Sequence, residues 1–385
     1  MSRIRLLKSS TVYDRYPRSF YVGRPNLASS PFQQQMEALL GDGFSFGDAW
    51  KHYLEETGRY EVLEVLVNVE PAQKRWAAEH GIRYSEANWA EEILAAQIAE
   101  FSPDVWFCHS WLAPSQRLRL RDSCRSIRYV IGYDGALNHA PDQLSGCDAV
   151  LTCVRESAAF YSQHGFRGYW MPWGFDPRLL ARLKPSRARY PVSFCGSMIM
   201  QDNGGHFDRP RLLDGLQAEA EIAVFCGDLR RWQVERALVS QVLRRRFNLA
   251  VRTLQVYPAL TRLRRTSRGE RFGLEMLQTL ADSKITINIH GHGIRTAANI
   301  RLFEATGAGT CLLTDWKDDL PCVFEPGKEV VAFRSQGECA EKLRYLLQHD
   351  AERTSIAAAG HRRCLRDHHI GNHIASFANE VLDRL

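Results

Sequence analysis

The sequence predicts an α/β fold with two doubly wound parallel sheets, and three observations support it. Short runs rich in β-branched and aromatic residues alternate with helical segments in residues 1–175 and again in 191–367. Such alternation is typical of parallel sheets covered by helices. A proline-containing stretch between the two halves predicts a linker at 176–190. With 385 residues, 45% of them hydrophobic, the chain is long enough for two cores.

The N-terminal half contains five predicted strands and two clear helices. The strands are expected at 4–10, 61–70, 104–110, 128–134 and 148–154, and the helices at 86–101 and 113–126. Residues 9–57 do not follow the alternation. Their many aromatic residues predict an ordered insertion of loop and helix after the first strand.

The C-terminal half repeats the pattern. Strands are expected at 191–197, 221–228, 284–290, 309–315 and 329–335, and helices at 338–348 and 351–367. A last helix is expected at 368–385, with a return to the first domain as one alternative. Two domains of this kind are expected to face each other across a cleft, with ligands at the carboxyl ends of the strands.

Composition excludes several classes of protein. No stretch approaches the ~20 apolar residues of a membrane helix, and the first residues lack the apolar segment of a secretory signal, so a cytoplasmic location is expected. The ten cysteines include no C-x-x-C pair. They are expected to be reduced, buried thiols rather than a disulfide framework or a zinc site.

The segment NIRLFEATGAGT, 299–310, combines a predicted helix with two unusual charges. Arg301 and Glu304 are three residues apart and share one helix face, while Gly307 and Gly309 can end the helix in a left-handed turn. A fixed carboxylate can accept both hydrogen bonds of a ribose diol, and a neighbouring arginine can meet a phosphate. An ordinary exposed ion pair is the alternative that the spacing leaves open.

The same segment carries a family resemblance. E-A-T-G-A-G-T, starting at Glu304, resembles the E-A-small-A-x-G segment of GT-B glycosyltransferases of the group 1 type. Over 60–370, and most strongly in the second half, the chain is similar to the CgeB-like branch. Its N-x-R-x-F-E and P-G-x-E signatures correspond to the following residues: Asn299, Arg301, Phe303, Glu304, Pro326, Gly327 and Glu329.

The resemblance implies a GT-B fold and metal-independent transfer of a sugar from a nucleotide-activated donor to an unidentified acceptor. Glu304 would hold the ribose, and Arg301, Asn299 and Arg295 would hold the diphosphate. One position departs from the group 1 pattern: Thr296 stands where many retaining enzymes have a second glutamate. A retaining outcome is therefore not implied.

Residues that open the second domain complete the expected donor site. Gly196 and Ser197 follow a predicted strand and resemble the GT-B loop whose backbone approaches the donor diphosphate. His290 and His292 lie with Arg295 in a glycine-rich loop, which predicts a phosphate cradle. A metal site is the weaker alternative, because a third ligand is missing nearby.

The first domain contributes two further candidates. His109 ends a predicted strand and resembles the histidine that contacts the donor sugar in group 1 enzymes, with a structural histidine as the alternative. Asp134 ends the next strand and is the candidate base for an inverting transfer, ahead of His139. A simple turn residue is the alternative interpretation of Asp134.

Arginines concentrate in residues 230–271, where leucine, valine and phenylalanine alternate with them at helical spacing. Three interpretations remain open: a solvated helix face, contact with a membrane or another anionic surface, and nucleic-acid binding. Nucleic acid is not expected, since no recognised motif supports it. His368, His369 and His373 are expected on a solvent-exposed tail helix rather than in a metal site.

Two other functions stay open alongside glycosyl transfer. A nucleotide-sugar epimerase would share this architecture and need no acceptor. In a non-catalytic binding protein with a GT-B fold, Thr296 would mark the loss of catalytic activity. The residues alone do not identify the donor sugar, its base or the acceptor.

Overall fold

The computed structural model describes residues 3–135, 140–198, 206–227, 229 and 231–385, with the side chains of 231 and 232 excepted. The eleven strands of this part of the chain are β1 (Ile4–Ser10), β2 (Tyr60–Leu66), β3 (Val105–His109), β4 (Tyr129–Tyr133), β5 (Ala149–Thr152), β6 (Arg167–Trp170), β7 (Tyr190–Cys195), β8 (Ile222–Phe225), β9 (Ser283–Asn288), β10 (Cys311–Asp315) and β11 (Val331–Phe333).

Helices connect these strands. The α-helices before β7 are α1 (Arg15–Val22), α2 (Phe32–Gly41), α3 (Ala49–Glu55), α4 (Glu70–Glu79), α5 (Trp89–Phe101), α6 (Pro114–Ser123) and α7 (Arg155–Gln163). The later ones are α8 (Asp208–Leu216), α9 (Arg231–Leu243), α10 (Phe247–Thr266), α11 (Gly273–Ala281), α12 (Arg301–Gly307), α13 (Leu320–Val323), α14 (Gln336–Gln348), α15 (Asp350–Asp367) and α16 (Ile370–Glu380). Short 3-10 helices cover Leu27–Ser29, Pro141–Leu144, Pro177–Arg182 and Leu382–Arg384.

The strands form two separate sheets, and every described strand pair is parallel. The first sheet has the order β2-β1-β3-β4-β5-β6, and the second has the order β11-β10-β9-β7-β8. Helices cover the strands, as expected for parallel sheets buried on both faces. The predicted α/β class with two doubly wound sheets is confirmed.

Two compact units contain the two sheets. Among the described residues, one comprises 3–135, 140–171 and 371–385, and the other comprises 172–198, 206–227, 229 and 231–370. The segment predicted as a linker, 176–190, groups with the second unit. The C-terminal residues 371–385 group with the first, where the Phe377 ring lies 5.7 Å from that of Trp50.

Each sheet has a hydrophobic core on both of its faces. In β7, Val192 and Phe194 point into one cluster of the second unit, while Cys195 points into the other. In the first unit, Leu7 belongs to one cluster, and the fully buried Trp50 of α3 packs at a tilt against Phe107, with a centroid distance of 4.8 Å. Full burial of such side chains contributes about 1.5–3 kcal/mol each, which explains the near-continuous apolar strands.

Ten cysteines are free thiols, and eight of them are buried. Cys147 is half-buried and Cys322 is exposed. The expectation of reduced, buried thiols therefore holds for most of them. Among the residues that the structure describes, no group of three or more His, Cys, Asp or Glu side chains could hold a metal ion, and no helix is long and apolar enough to cross a membrane.

The two glycines of the glutamate helix have different roles. Gly309 has φ +82°, so it provides the left-handed turn expected after the helix. Gly307 is not left-handed. A Cβ there would lie 2.3 Å from the Phe175 ring, so this glycine allows α12 to pack against that ring.

Replacing Gly307 with alanine is expected to lower the free energy of unfolding by about 1–3 kcal/mol, because the ring of Phe175 must move. Gly337→Ala is the matched control, since it also changes a helical glycine but adds its methyl group to open space. Chemical denaturation of both variants measures the difference. Equal stabilities would contradict this packing role.

Candidate functional site

The order of strands in the second unit locates a crevice. From β7 the chain moves to β8 on one side, and it later continues with β9 on the other side. Ligands of doubly wound folds bind at such a switch point, outside the carboxyl ends of the two diverging strands. Here these ends are Cys195 to Ser197 after β7 and Asn288 to His290 after β9.

Gly196 and Ser197 lie at this switch point and are held by a buried arginine. The guanidinium of Arg209 donates to the Ser197 carbonyl at 2.8 Å and to the Ile289 carbonyl at 3.0 Å. A Cβ on Gly196 would lie 2.9 Å from the Phe194 ring and 3.4 Å from Arg209. A side chain at 196 would therefore press on the Phe194 ring, and glycine avoids this contact.

Arg301 and Glu304 lie at the same end of β7. The Arg301 Nη1 donates to the Glu304 Oε2 at 2.5 Å, its Nε donates to the Cys195 carbonyl at 3.2 Å, and Nη1 also contacts the Met276 sulfur. Both charged side chains are about 15% exposed. Burial raises the pKa of Glu304 above its usual value, and the Arg301 guanidinium opposes that shift.

The loop before α12 is fixed by backbone contacts. Asn299 accepts a hydrogen bond from the Arg301 amide through Oδ1 at 2.9 Å, so its side chain orders the start of the helix. Asp319 accepts from the Ala297 amide at 2.6 Å, on the other side of the loop. Arg295 is exposed, and only its backbone carbonyl takes part in a described hydrogen bond, with Asp318.

His290 lies deeper than the sequence suggested. Its side chain is fully buried, and Nδ1 lies 2.7 Å from the Asp315 Oδ1. Lys317 contacts the other carboxylate oxygen at 3.2 Å. Burial alone would raise the pKa of Asp315, but His290 and Lys317 outweigh it and lower that pKa to about 2. The carboxylate thus stays ionised beside the switch point.

Two neighbouring residues were not identified from the sequence. Arg209 has no local motif, and only the three-dimensional proximity of the two strand ends shows its role. Asp315 was inside a predicted strand, and its position at the carboxyl end of β10 was the signal that could have identified it. His292 is exposed and contacts Asp208 at 3.5 Å, away from His290's buried partners.

The first unit has its own switch point between β1 and β3. His109 ends β3 there, with Nδ1 3.2 Å from the Ser10 hydroxyl and its ring 4.5 Å from that of Tyr133. Burial, together with the charge of Lys8, lowers the pKa of His109 to about 3. The imidazole is therefore neutral at neutral pH, a form that can both donate and accept hydrogen bonds.

Asp134 follows β4 in the same unit. It is only 5% exposed, and its Oδ2 accepts a hydrogen bond from the Tyr161 hydroxyl at 2.7 Å. The structure thus places the candidate base next to a buried hydroxyl rather than in a plain surface turn. His139, the other candidate, lies outside the described residues.

Aromatic side chains surround this switch point. Tyr13 and Trp111, after β1 and β3, are 52% and 70% exposed, with their ring centroids 6.1 Å apart. The Trp111 amide donates to the Thr11 hydroxyl at 3.1 Å, which fixes the backbone next to the ring. The insertion at 9–57 contributes Phe46, whose ring lies 5.4 Å from His109.

The predicted solvent-exposed histidine tail is wrong for His368. This side chain is 9% exposed, its Nε2 lies 2.8 Å from the Val323 carbonyl, and its ring packs against Phe303 and Phe324. The aromatic surroundings explain its burial, because a neutral imidazole packs well between rings.

His109 makes a testable contribution to the pH dependence of stability. Its pKa is lower in the folded protein, so between pH 6.5 and about 3 the unfolded chain binds a proton that the folded chain does not. This group therefore lowers the free energy of unfolding as pH falls, by up to about 1.4 kcal/mol per pH unit. The effect is measured by denaturing wild type and His109→Gln at pH values from about 7 to about 4, since this range lies mostly between the two pKa values.

The stability of His109→Gln relative to wild type is expected to improve as the pH falls. A stability difference between the two proteins that is independent of pH would show that His109 is not held neutral by its surroundings.

The comparisons with known proteins concern residues 230–379 and the fold. Residues 230–379 match a family described as glycosyl transferase-like. No curated protein matches the sequence. The glutamate helix and its approach loop lie within the matched region, whereas the first unit's switch point lies outside it.

Solved structures match over the whole length. HepE from Anabaena in complex with UDP-glucose has a TM-score of 0.59 at 12% identity, with 100% of both chains covered. A glycosyltransferase from Rickettsia africae has a TM-score of 0.55 at 11% identity, covering 100% of this chain and 99% of that one. Sucrose-phosphate synthase from Thermosynechococcus elongatus has a TM-score of 0.55 at 12% identity, with 99% of both covered.

The fold is therefore GT-B, with two Rossmann-like units, as expected. Together with the match of residues 230–379 to the glycosyl transferase-like family, this fold supports the predicted enzyme class, a glycosyltransferase. The narrower assignment to the CgeB-like branch stays a prediction.

Proposed function

We propose that this protein transfers a glycosyl group from a UDP-sugar to an acceptor without a metal ion. The observation that supports this most is the arrangement of Arg301 and Glu304 at the carboxyl end of β7. HepE, of similar fold, is described in complex with UDP and with UDP-glucose. The chemistry of this site fits the same class of donor.

The carboxylate of Glu304 receives the ribose in this proposal. Its Oε2 accepts from Arg301, while Oε1 has no hydrogen-bond partner among the described residues. A ribose hydroxyl donating to a buried carboxylate forms a charge-assisted hydrogen bond, stronger than one in water. The guanidinium of Arg301 opposes the rise in the pKa of Glu304 that burial causes, and it orients the carboxylate before the donor arrives.

The diphosphate lies next to the switch point. The backbone amide of Ser197, after β7, is the proposed hydrogen-bond donor, whereas the Gly196 amide donates to the Phe225 carbonyl at 3.2 Å and Gly196 contributes only the close backbone approach. Arg301, the exposed Arg295 and the loop that contains His290 contribute positive charge or further donors, and Asn299 orders the start of α12. Because side-chain cations compensate the phosphate charge, chelators are expected to have no effect on transfer.

His109 and Asp134 are assigned roles in the reaction itself. The neutral imidazole of His109 is suited to a hydroxyl group of the donor sugar. Asp134 is the proposed base, which takes the acceptor's proton as its oxygen attacks the anomeric carbon and UDP leaves. Tyr161, which donates to the carboxylate, positions it.

A Glu304→Gln substitution is expected to weaken UDP binding by about 10–100-fold, since hydrogen bonds to a charged group contribute roughly 1.5–3 kcal/mol. Isothermal titration calorimetry measures the change. Glu325→Gln is the matched control, because it removes another i, i+3 ion pair of the second unit, with Lys328, outside the proposed site.

The control is expected to bind UDP like wild type. Unfolding of both variants without ligand shows whether Glu304→Gln is still folded. Unchanged UDP affinity in a folded Glu304→Gln protein would contradict the ribose role.

The acceptor is proposed to present a sugar ring. Exposed aromatic faces pack well against flat apolar surfaces, among them the C–H face of a sugar, and Tyr13 and Trp111 offer two such faces beside His109. A glycan acceptor is therefore favoured over a small hydrophilic alcohol.

Trp111→Ala is expected to raise the KM for a glycan acceptor about tenfold, which is roughly 1.4 kcal/mol of lost packing, while UDP binding is unchanged. Trp170→Ala is the control, because Trp170 is another exposed tryptophan of the same unit but stacks under Arg155. Transfer assays with a panel of oligosaccharides measure the effect. An unchanged KM in Trp111→Ala would rule out the stacking role.

A nucleotide-sugar epimerase remains the competing proposal for the same site. It would convert the donor in the absence of any acceptor, whereas the transferase needs one. Product analysis of UDP-sugar incubated with the protein alone separates the two, and a protein that binds no nucleotide would support the non-catalytic alternative. The expected contact with an anionic surface involves residues 230–271 and not the proposed donor site.

A further inference from the structure

Apolar side chains are exposed at one place in unusual density. Within 239–254, here called the hairpin tip, the end of α9 and the start of α10 expose six of the thirteen large hydrophobic side chains that are exposed in the described part of the chain. The six are Val239, Val242, Leu243, Phe247, Val251 and Leu254. Leu243 is the most exposed of them, at 78%.

These side chains follow helical spacing. On α9 they recur at i, i+3 and i+4, and on α10 at i, i+4 and i+7, so each set occupies one helix face. The opposite side of α10 is already buried through Leu249, Thr253 and Val256. The helix is thus apolar on a second face that the fold of this chain leaves exposed to solvent.

Positive charge surrounds the same place. Residues 236–269 contain nine arginines, no lysine and no acidic residue. Arg262 and Arg268, nearer the end of α10 and beyond it, form ion pairs with Asp214 and Glu221 from other elements. At the turn of the hairpin, Arg244, Arg245 and Arg246 are exposed and have no ion-pair partner among the described residues.

We propose that the hairpin tip binds the surface of an anionic phospholipid bilayer. An amphipathic helix pair with arginines at its turn can insert its apolar side chains at the headgroup boundary while the guanidinium groups contact lipid phosphates. The apolar side chains match the acyl region of the bilayer, and the arginines match its anionic headgroups.

Other occupants fit less well. A second copy of the chain would bring another set of arginines against the first, which like-charge repulsion opposes. A nucleic acid or a soluble polyanion would match the arginines but leave six apolar side chains without a partner. The bilayer is the partner that satisfies both features.

Co-sedimentation with vesicles tests the proposal with the full chain. Vesicles of phosphatidylcholine alone are compared with vesicles that also contain phosphatidylglycerol. The protein is expected to bind the second kind, and binding is expected to fall as salt increases, because salt screens exposed charges. Absence of binding to the anionic vesicles at low salt would overturn the proposal.

Two sets of substitutions test the two features separately. The triple variant Arg244→Gln, Arg245→Gln, Arg246→Gln is expected to lose about a hundredfold in affinity, since each arginine near an anionic surface contributes about 1 kcal/mol. The double variant Leu243→Ser, Phe247→Ser keeps the charge and is expected to bind at least tenfold more weakly. Both change exposed side chains, so the fold should tolerate them.

The matched control is the triple variant Arg125→Gln, Arg187→Gln, Arg362→Gln, which removes the same net charge from exposed positions outside the hairpin. It is expected to bind vesicles almost like wild type. An equal loss in the control would show a general charge effect and overturn the proposal. A dimer that dissociates in the double variant, without lipid binding, would assign the surface to a second copy instead.

UDP binding is measured for each variant alongside. The hairpin residues are not part of the proposed donor site, so UDP affinity should be unchanged in all of them. Failure of lipid binding with intact UDP binding rejects only the membrane contact. Failure of wild-type UDP binding rejects the proposed donor site and leaves the vesicle result intact.

Discussion

The guanidinium of Arg301 holds the candidate donor site together. It contacts a backbone carbonyl of β7, a methionine sulfur of α11 and the carboxylate of its own helix, α12. These contacts fix Glu304 at the end of a strand, where a bound ligand would lie. Burial raises the pKa of Glu304, and without the cation nothing would oppose that rise or orient the carboxylate.

Strand ends at the two switch points are fixed in different ways. In the second unit, Arg209 donates to carbonyls after β7 and after β9, so one side chain links the two strand ends. In the first unit, aromatic rings and hydroxyl groups surround the strand ends, and His109 is neutral. The crevice of the second unit is therefore lined by charged groups and that of the first mainly by aromatic rings. This difference is the reason for proposing an anionic nucleotide at one and a glycan at the other.

Much of the fold could be predicted because it depends on local patterns. Ten of the eleven described strands correspond to apolar runs visible in the sequence, and α14 and α15 begin within two residues of their predicted starts. The sixth strand, Arg167–Trp170, was missed because its residues are partly exposed and lack the apolar signal. Three helices, α1 to α3, lie in a region where the aromatic residues concealed the helical period.

Site residues could be predicted where they share a local motif, but not where the interacting residues are far apart in the sequence. Arg301 and Glu304 are adjacent on one helix, so their pairing followed from spacing. Arg209 acts on carbonyls 12 and 80 residues away in the chain, which no local pattern shows. His368 was misplaced for a related reason, since Val323 and Phe324 come from a distant part of the chain.

The membership of residues 371–385 in the first unit has a consequence for synthesis. Phe377 packs between Trp50 and Tyr169, and Asp383 binds Arg59 and the Tyr60 hydroxyl beside β2. A ribosome makes the sheet of this unit first, but these partners emerge after all of the second unit has been translated. The unit that is begun first is thus completed last, and until then the nascent chain exposes the apolar surface that α16 will cover.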